Sequence, residues 1–307
     1  MGPNVDLVSY ISPSTTGGGE TTKAVFKYYF LFQFLHKLWH EMNLWMRLPP
    51  HPNIVPLDRL VRDELRGHVV GFTSRYIPGG TLSENTTRTF KLKGLRQLTG
   101  VIDDLNLKYG IAHQDVAPRN LLIDPDTDAL MLFDFNFSGR IGGAGYGEGR
   151  GDVKGVIFTL YEIITLDTHF RDAPYYEQDP ADGQGLEEWP QHPSVKLDHS
   201  VPEFRAMLNE WVDKRWGGRQ VALYTEAAEH IDWPDFPNPA PRDIVLGEAI
   251  GDGKSTVVTT AVLNSMRRKR GEEGLAHLNW ERPAQIKLGD GQRVLANGQL
   301  MPDTECL

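Results

Sequence analysis

His113, Asp115 and Asn120 stand in an H-x-D-x-x-x-x-N run, and Asp134 follows Asn120 by fourteen residues. An Asp that takes the proton of an attacking hydroxyl, an Asn close by and a second Asp that helps hold Mg²⁺ against phosphates are the parts used in phosphoryl transfer. The segments between them predict how they meet. Leu121-Leu122-Ile123 and Leu130-Met131-Leu132-Phe133 are short apolar runs split by the turn-prone Asp124-Pro125-Asp126-Thr127-Asp128, so they read as a β-hairpin. Such a hairpin sets Asn120, just before its first strand, close to Asp134, just after its second. The competing reading has the same residues capping a helix and a turn in an unrelated α/β domain. The agreement of the H-x-D, the Asn, the hairpin and Asp134-Phe135 argues against it.

The stretch from Gly110 to Gly139 resembles the catalytic loop and metal motif of the eukaryotic protein-kinase superfamily, H-R-D-L-x-x-x-N followed by D-F-G. The resemblance implies that Asp115 is the catalytic base, that Asn120 and Asp134 are metal ligands, and that ATP and Mg²⁺ are the cofactors. Upstream, Val5 to Ile11 and Ala24 to Phe30 read as strands, and Phe34 to Leu48 has helical spacing. Ala24-Val25-Phe26-Lys27 resembles the V-A-I-K strand of the family. Glu41, fourteen residues after Lys27, stands where the family's first helix carries the Glu that pairs with that Lys. Trp45 continues the same helical face, and His51-Pro52-Asn53-Ile54-Val55 resembles the phrase that follows this helix in many kinases. The run Val69 to Leu82 resembles the family's hinge strand. Adenine is then expected at the backbone of Arg75, Tyr76 and Ile77, with small Ser74 at the back of the pocket and Val25 and Leu122 completing the nucleotide contacts. Leu95, Leu98, Ile102 and Leu105 recur at helical spacing in a core helix of about eighteen residues that leads to the catalytic loop.

The fold class implied is α+β and two-lobed. A small, mostly antiparallel β lobe with one helix covers residues 1–77, a larger helical lobe covers 78–230, and an extension covers 231–307. Resemblance is expected over about Ala24 to Gln220, and the phrase WHEMNLWMRLPPHPNIV is most similar to compact kinase-like proteins of filamentous fungi.

Several departures bear on activity. Gly17 to Gly19 lie close before Lys27, so either the hairpin that covers phosphates is abbreviated or Val5 to Ile11 is already the second strand and the lid is missing. Asn136 replaces the Gly of D-F-G; Asn tolerates positive φ better than other non-Gly residues. Gln114 replaces the Arg before the catalytic Asp, which removes the usual partner of an activation-loop phosphate. Ala117 stands where Ser/Thr kinases carry a Lys, while Arg119 matches the tyrosine-kinase form and would supply the positive charge. Only eighteen residues separate Asp134 from Asp152, which opens an apolar helical run to Thr165, and no A-P-E occurs. The intervening Gly139 to Gly151 holds seven glycines and reads as a mobile, shortened activation segment. With Ser138 and Tyr146 as its phosphate acceptors, activity is expected without phosphorylation there, under control of partners or of the chain after Trp233. An active protein kinase, a pseudokinase binding module and a small-molecule kinase acting on a metabolite hydroxyl all remain open.

Thr168 to Ser200 reads as a long surface loop, and Val201 to Trp216 as a helix with Phe204, Met207, Leu208 and Trp211 on one face. Trp233 to Pro241 marks a proline-stiffened boundary. Beyond it Gly251-Asp252-Gly253-Lys254-Ser255-Thr256 misses a P-loop, because the required first Gly falls on Glu248. Ser255 to Met266 reads as a helix, ended by Arg267-Arg268-Lys269-Arg270, whose charge suits the helix dipole.

Composition narrows the classes. A net charge of −9 over 307 residues disfavours a nucleic-acid binder. The lone cysteine, Cys306, excludes an internal disulfide and a cysteine metal site and fits a reducing compartment. Ala24 to Met46 carries too many charges for a membrane span, and Met1 to Ser9 lacks signal-peptide character, so a cytoplasmic location without membrane association is expected. The partner is a protein or small-molecule hydroxyl of unknown identity.

Overall fold

The computed structural model describes residues 4–12, 20–29, 35–63, 67–143, 145–234 and 236, with strand residues 243–246, 256–259, 292–294 and 300–302. The chain divides into two units, Gly2–Pro239 and Ala240–Leu307.

The first unit begins with β1 (Asn4–Ser12), β2 (Glu20–Tyr28), helix α1 (Leu35–Arg47), β3 (Leu57–Arg62) and β4 (Val69–Arg75). The strands form an antiparallel sheet in the order β1-β2-β4-β3. Register sets Val5 opposite Lys27 and Lys27 opposite Phe72. β1 is therefore the direct neighbour of the Lys27 strand, and in sequence Gly17 to Gly19 fall between these two strands, outside the described residues. Gly71 is required in β4, because a Cβ there would collide with the Lys27 carbonyl oxygen and the Phe26 ring. α1 turns Leu38, Met42, Leu44 and Trp45 inward together with Glu41.

Next come β5 (Thr89–Phe90) and α2 (Leu92–Asp103), which continues into a π-helical turn at Asp104–Lys108. Leu95, Leu98, Ile102 and Leu105 are fully buried along one face, the stripe that period 3.6 demands. β6 (Ile111–Ala112) pairs with β9 (Gly139–Arg140), and between them lies the hairpin β7 (Leu121–Asp124) and β8 (Ala129–Leu132). Its turn is closed by Asp124, whose carboxylate accepts from Asp126 N at 3.0 Å, and by Asp128 at φ 56°. α3 (Asp152–Thr165) is buried nearly all round. α4 (Pro180–Gln184), β10 (Lys196–Leu197), parallel to β5, and α5 (Val201–Gly217) complete the unit. Ser200 and Glu203 form a capping box at the start of α5.

The second unit holds two hairpins, β11 (Asp243–Leu246) with β12 (Thr256–Thr259) and β13 (Gln292–Val294) with β14 (Leu300–Pro302). The P-loop-like stretch from Gly251 falls largely outside the described residues. Among the described residues no helix is long and apolar enough to cross a membrane.

Three sequence expectations are corrected. Thr256 to Thr259 is a strand rather than the start of a helix; its Val257, Val258 and flanking threonines are all β-branched, which favours the extended chain, and 260–266 lie outside the described residues. Thr168 to Ser200 is not a simple surface loop: Trp189 and Val195 are buried, and Trp189 Nε1 donates to Gly183 O at 2.9 Å. The strand of Lys27 ends at Tyr28 rather than Phe30.

Candidate active site

The loop of residues 113–120 hangs from Asp152 at the start of α3. Its carboxylate accepts from His113 N at 2.8 Å, Gln114 N at 2.7 Å and Asn106 Nδ2 at 2.8 Å. These bonds hold Gln114 at φ 63°, a left-handed conformation that a non-glycine residue adopts only under constraint. His113 is fully buried, its Nε2 3.0 Å from Phe133 O. A column of rings runs from it to α1: His113 to Phe135 at 5.1 Å, Phe135 to Trp45 at 5.3 Å, Trp45 to Phe72 at 5.5 Å. Trp45 is fixed by its Nε1, which donates to Val55 O at 2.8 Å.

The hairpin performs the convergence expected of it. Phe133 N donates to Asn120 O at 3.2 Å, so Asn120 and Asp134 leave the same end of β7 and β8. Asn120 is buried, and its Nδ2 donates to Asp115 Oδ2 and to Asp115 O, both at 2.8 Å. Arg119 pairs with the other Asp115 oxygen. Asp115 is thus fixed between an amide and a guanidinium, with its side chain 11% exposed.

Asp134 takes φ 66°. The positive φ lies here rather than on Asn136, which sits in the 3₁₀ turn Phe135–Phe137, so the replacement of glycine by Asn136 needs no tolerance of the left-handed region. Lys27 Nζ donates to Glu41 Oε1 at 2.7 Å and also pairs with Asp134. Burial of Glu41 raises its carboxyl pKa to about 7; Asp134 adds to the shift and Lys27 opposes it. Burial alone would lower Lys27, but Glu41 and Asp134 overcome it and its pKa stands above the usual value. Two carboxylates share one ammonium, so Glu41 holds its proton more tightly than it would in a simple ion pair.

On the strand side, Val25 pairs with Ser74, which is buried. Arg75 reaches Asp124 at 3.2 Å. Among the described residues no hydrogen bond uses the main-chain groups of Tyr76 and Ile77, although Ile77 is buried. Leu122, half-buried on β7, bridges to Thr81.

Features that the sequence did not reveal surround this set. Gln114 Nε2 donates to Phe137 O at 2.7 Å and Gly145 O at 3.0 Å, while its Oε1 accepts from Gly147 N at 2.6 Å. The glycine-rich segment read as mobile is therefore pinned by a neutral side chain. A strap over residues 229–234 runs from the π-helical turn to α1: Ile231 N donates to Tyr109 O at 3.0 Å, Trp233 Nε1 to His40 Nδ1 at 3.0 Å, and Trp39 Nε1 to Pro234 O at 2.9 Å. Arg140 lies over the Trp233 ring at 5.0 Å and pairs with Asp232. Trp39 and His40 immediately precede Glu41, so the strap braces the turn of helix that carries it. Signals for both devices existed, a Gln with three bonding positions and a Trp-Pro pair, but neither type identifies its partner.

The antiparallel sheet, the surrounding helices and this cluster are compatible with a kinase-like fold. The chain is related to the protein-kinase superfamily: it is 32% identical over 120 residues to CBL-interacting serine/threonine-protein kinase 16 of Arabidopsis thaliana, covering 37% of this chain and 24% of that protein. It is 29% identical over 137 residues to CBL-interacting protein kinase 24 of Oryza sativa subsp. japonica, with 43% and 29% covered, and 33% identical over 98 residues to CBL-interacting protein kinase 5 of the same rice, with 30% and 20% covered. The matches thus span under a third of the length of these relatives. No family model matches the chain.

Proposed function

We propose that the protein is an ATP- and Mg²⁺-dependent phosphotransferase of the protein-kinase type that moves the γ-phosphate of ATP to a protein hydroxyl. The fold is then two-lobed, with the nucleotide between a small lobe over residues 1–77 and a helical lobe over 78–230. The observation that carries the reading is Lys27 held between Glu41 and Asp134, with Asp115 and Asn120 bonded to each other at the same end of the hairpin.

The residues fit the cofactor. Mg²⁺ is bound by one or two protein ligands and completed by substrate phosphates rather than by a protein cage, and among the described residues no group of three or more His, Cys, Asp or Glu is placed to hold a metal ion by itself. Asp134 would hold it with Asn120, whose Oδ1 accepts no hydrogen bond among the described residues. Mg²⁺ supplies neutralisation of charge shared by the phosphates. Lys27, positioned by Glu41, binds the α and β phosphates in place of Asp134. The unused main-chain groups of Tyr76 and Ile77 bind the adenine edge, and Val25, Ser74, Arg75 and Leu122 enclose it.

Asp115, oriented by Asn120 and Arg119, accepts the proton of the acceptor hydroxyl. That oxygen bonds to the γ-phosphorus as the bond from phosphorus to the bridging oxygen breaks, and ADP departs. Arg119 balances charge beside the carboxylate.

The test is an ATP titration with and without Mg²⁺, followed by an assay of γ-phosphate transfer to mixed protein acceptors. Metal-dependent binding with transfer supports the reading. Metal-dependent binding without transfer would make the protein a binding module, and transfer confined to small alcohols would make it a metabolite kinase.

A further inference from the structure

A cavity of about 270 Å³ opens beside Asp115. The chain as a whole carries a net charge of −9, yet Arg119, Arg150, Lys154 and Arg171 line this cavity and Asp115 is its sole carboxylate among the described lining residues. Arg119 is neutralised by Asp115 and Arg171 by Glu162. Arg150 and Lys154 have no carboxylate partner among the described residues. The Arg150 guanidinium lies 4.3 Å from the Tyr175 ring centre and 4.8 Å from that of Phe137, which fixes its position while leaving its charge uncompensated. Lys154 Nζ donates to Gly149 O and Tyr175 O, both at 2.6 Å, and to Gln178 O at 3.3 Å. Carbonyls orient an ammonium but do not neutralise it. Burial, followed by repulsion from Arg171 and Arg150, pushes the Lys154 pKa down, with Asp179 acting weakly against them. Two prearranged cations without counter-charges are what an anionic ligand meets favourably.

Its place decides what kind of acceptor: Asp115, Gln114, Gly149 and Gly151 line the same cavity, so an anion held there lies beside the hydroxyl that Asp115 would serve, on the face where a protein segment would lie. We propose that the cavity is an acceptor subsite that selects protein segments with an acidic or phosphorylated residue close to the reacting hydroxyl, with Arg150 as the residue that bonds that anion and Lys154, whose three N–H groups are given to carbonyls, adding positive charge beside it. The inference rests on the phosphotransferase reading and names the substrate class of the same site.

The test uses serine peptides of one length flanked by Glu, phosphoserine, Gln or Lys, assayed for phosphate transfer and, separately, for equilibrium binding by fluorescence anisotropy. Glycerol 1-phosphate serves as the small phosphorylated alcohol. Glu and phosphoserine peptides should exceed the Gln peptide by about tenfold or more in kcat/KM, the scale of one hydrogen bond to a charged group. The Lys peptide should be poorest, and the preference should shrink with added salt. Arg150→Gln with Lys154→Gln should collapse the ratio of Glu to Gln peptides towards one, chiefly through KM for the peptide, while Arg150→Lys keeps part of it. The peptide series on the unaltered chain gives the answer even if a variant folds poorly. Equal or better use of Gln or Lys peptides would overturn the inference, as would phosphorylation of glycerol 1-phosphate with refusal of all peptides. If no acceptor is phosphorylated, the phosphotransferase reading fails by itself: tighter binding of the Glu peptide that Arg150→Gln abolishes would still support the subsite, and charge-independent binding would overturn it.

Discussion

The two sides of the line from Asp134 to Asp115 differ in how they balance charge. On the phosphate side Lys27 is shared by Glu41 and Asp134, all enclosed by the sheet, α1 and the ring column through Trp45, Phe135 and His113. Loss of Lys27 leaves Glu41, fully buried, without its cation, whereas loss of either carboxylate leaves Lys27 paired with the other. On the acceptor side Arg150 and Lys154 face a cavity without counter-charge, and the adjoining segment is held by Gln114, an uncharged residue. The difference teaches that the Lys27 side closes its charges on itself, whereas the Asp115 side leaves Arg150 and Lys154 without carboxylate partners among the described residues. Of the departures from the kinase pattern, Gln114, the short segment and the missing A-P-E fall on the side of Asp115, whereas Asn136 and the altered glycine stretch before Lys27 fall on the other.

The sharpest way to break this comparison is Asp115→Asn. Turnover should fall by roughly 10²–10⁴-fold, the range for a positioned general base, with nucleotide affinity nearly kept. Steady-state kinetics beside a nucleotide-binding titration would separate the two, and loss of ATP binding would move Asp115 to the phosphate side. Lys27→Ala probes the other half: Glu41, fully buried, loses its cation, and breaking such a pair costs about 3–5 kcal/mol. Urea unfolding should show that loss. A Lys27→Met/Glu41→Leu variant should recover most of the stability with no recovery of turnover; recovery of both would mean that the pair is only structural.

A smaller effect is expected at the strap. Trp233→Ala removes the ring between Arg140 and His40, one residue from Glu41, and should lower turnover by about tenfold to 10²-fold through misplacement of α1. Trp233→Phe should lose much less, since the ring stays and only the bond to His40 goes. Identical activity in Trp233→Ala and the parent would show that α1 needs no brace. The smallest effect belongs to phosphorylation. Gln114 already orders the segment, Ser138 Oγ donates to His113 O at 3.2 Å, and Tyr146 is half-buried. Phosphatase treatment and a Ser138→Ala/Tyr146→Phe variant should each leave most of the turnover; loss of it in either would overturn the role given to Gln114.

What was legible in the sequence follows physical range. The β7–β8 hairpin could be read because its turn chemistry, Asp124 to Asp128, is local. The helices with Leu95 or Phe204 could be read because amphipathic spacing is local too. Lys27 and Glu41 were placed by resemblance, since a Lys in a strand carries no sign of a partner fourteen residues away. The clasp of Asp152 on residues 113 and 114 and the three bonds of Gln114 join segments distant in sequence through main-chain groups, which leave no trace in residue type, and the bond of Trp233 to His40 joins two side chains that nothing local connects. Thr256 to Thr259 misled because apolar spacing over a short window suits helix and strand alike, and β-branching was the better guide.

The central claim, that the phosphate side is complete and functional, rests on Asp134 as the anionic metal ligand. Calorimetric titration of ATP into the unaltered chain and into Asp134→Asn, each with and without Mg²⁺, tests it most directly. The account predicts that Mg²⁺ strengthens ATP binding to the unaltered chain and has little effect on Asp134→Asn, while circular dichroism shows both folded. Equal metal-dependent affinity in the two proteins would contradict it.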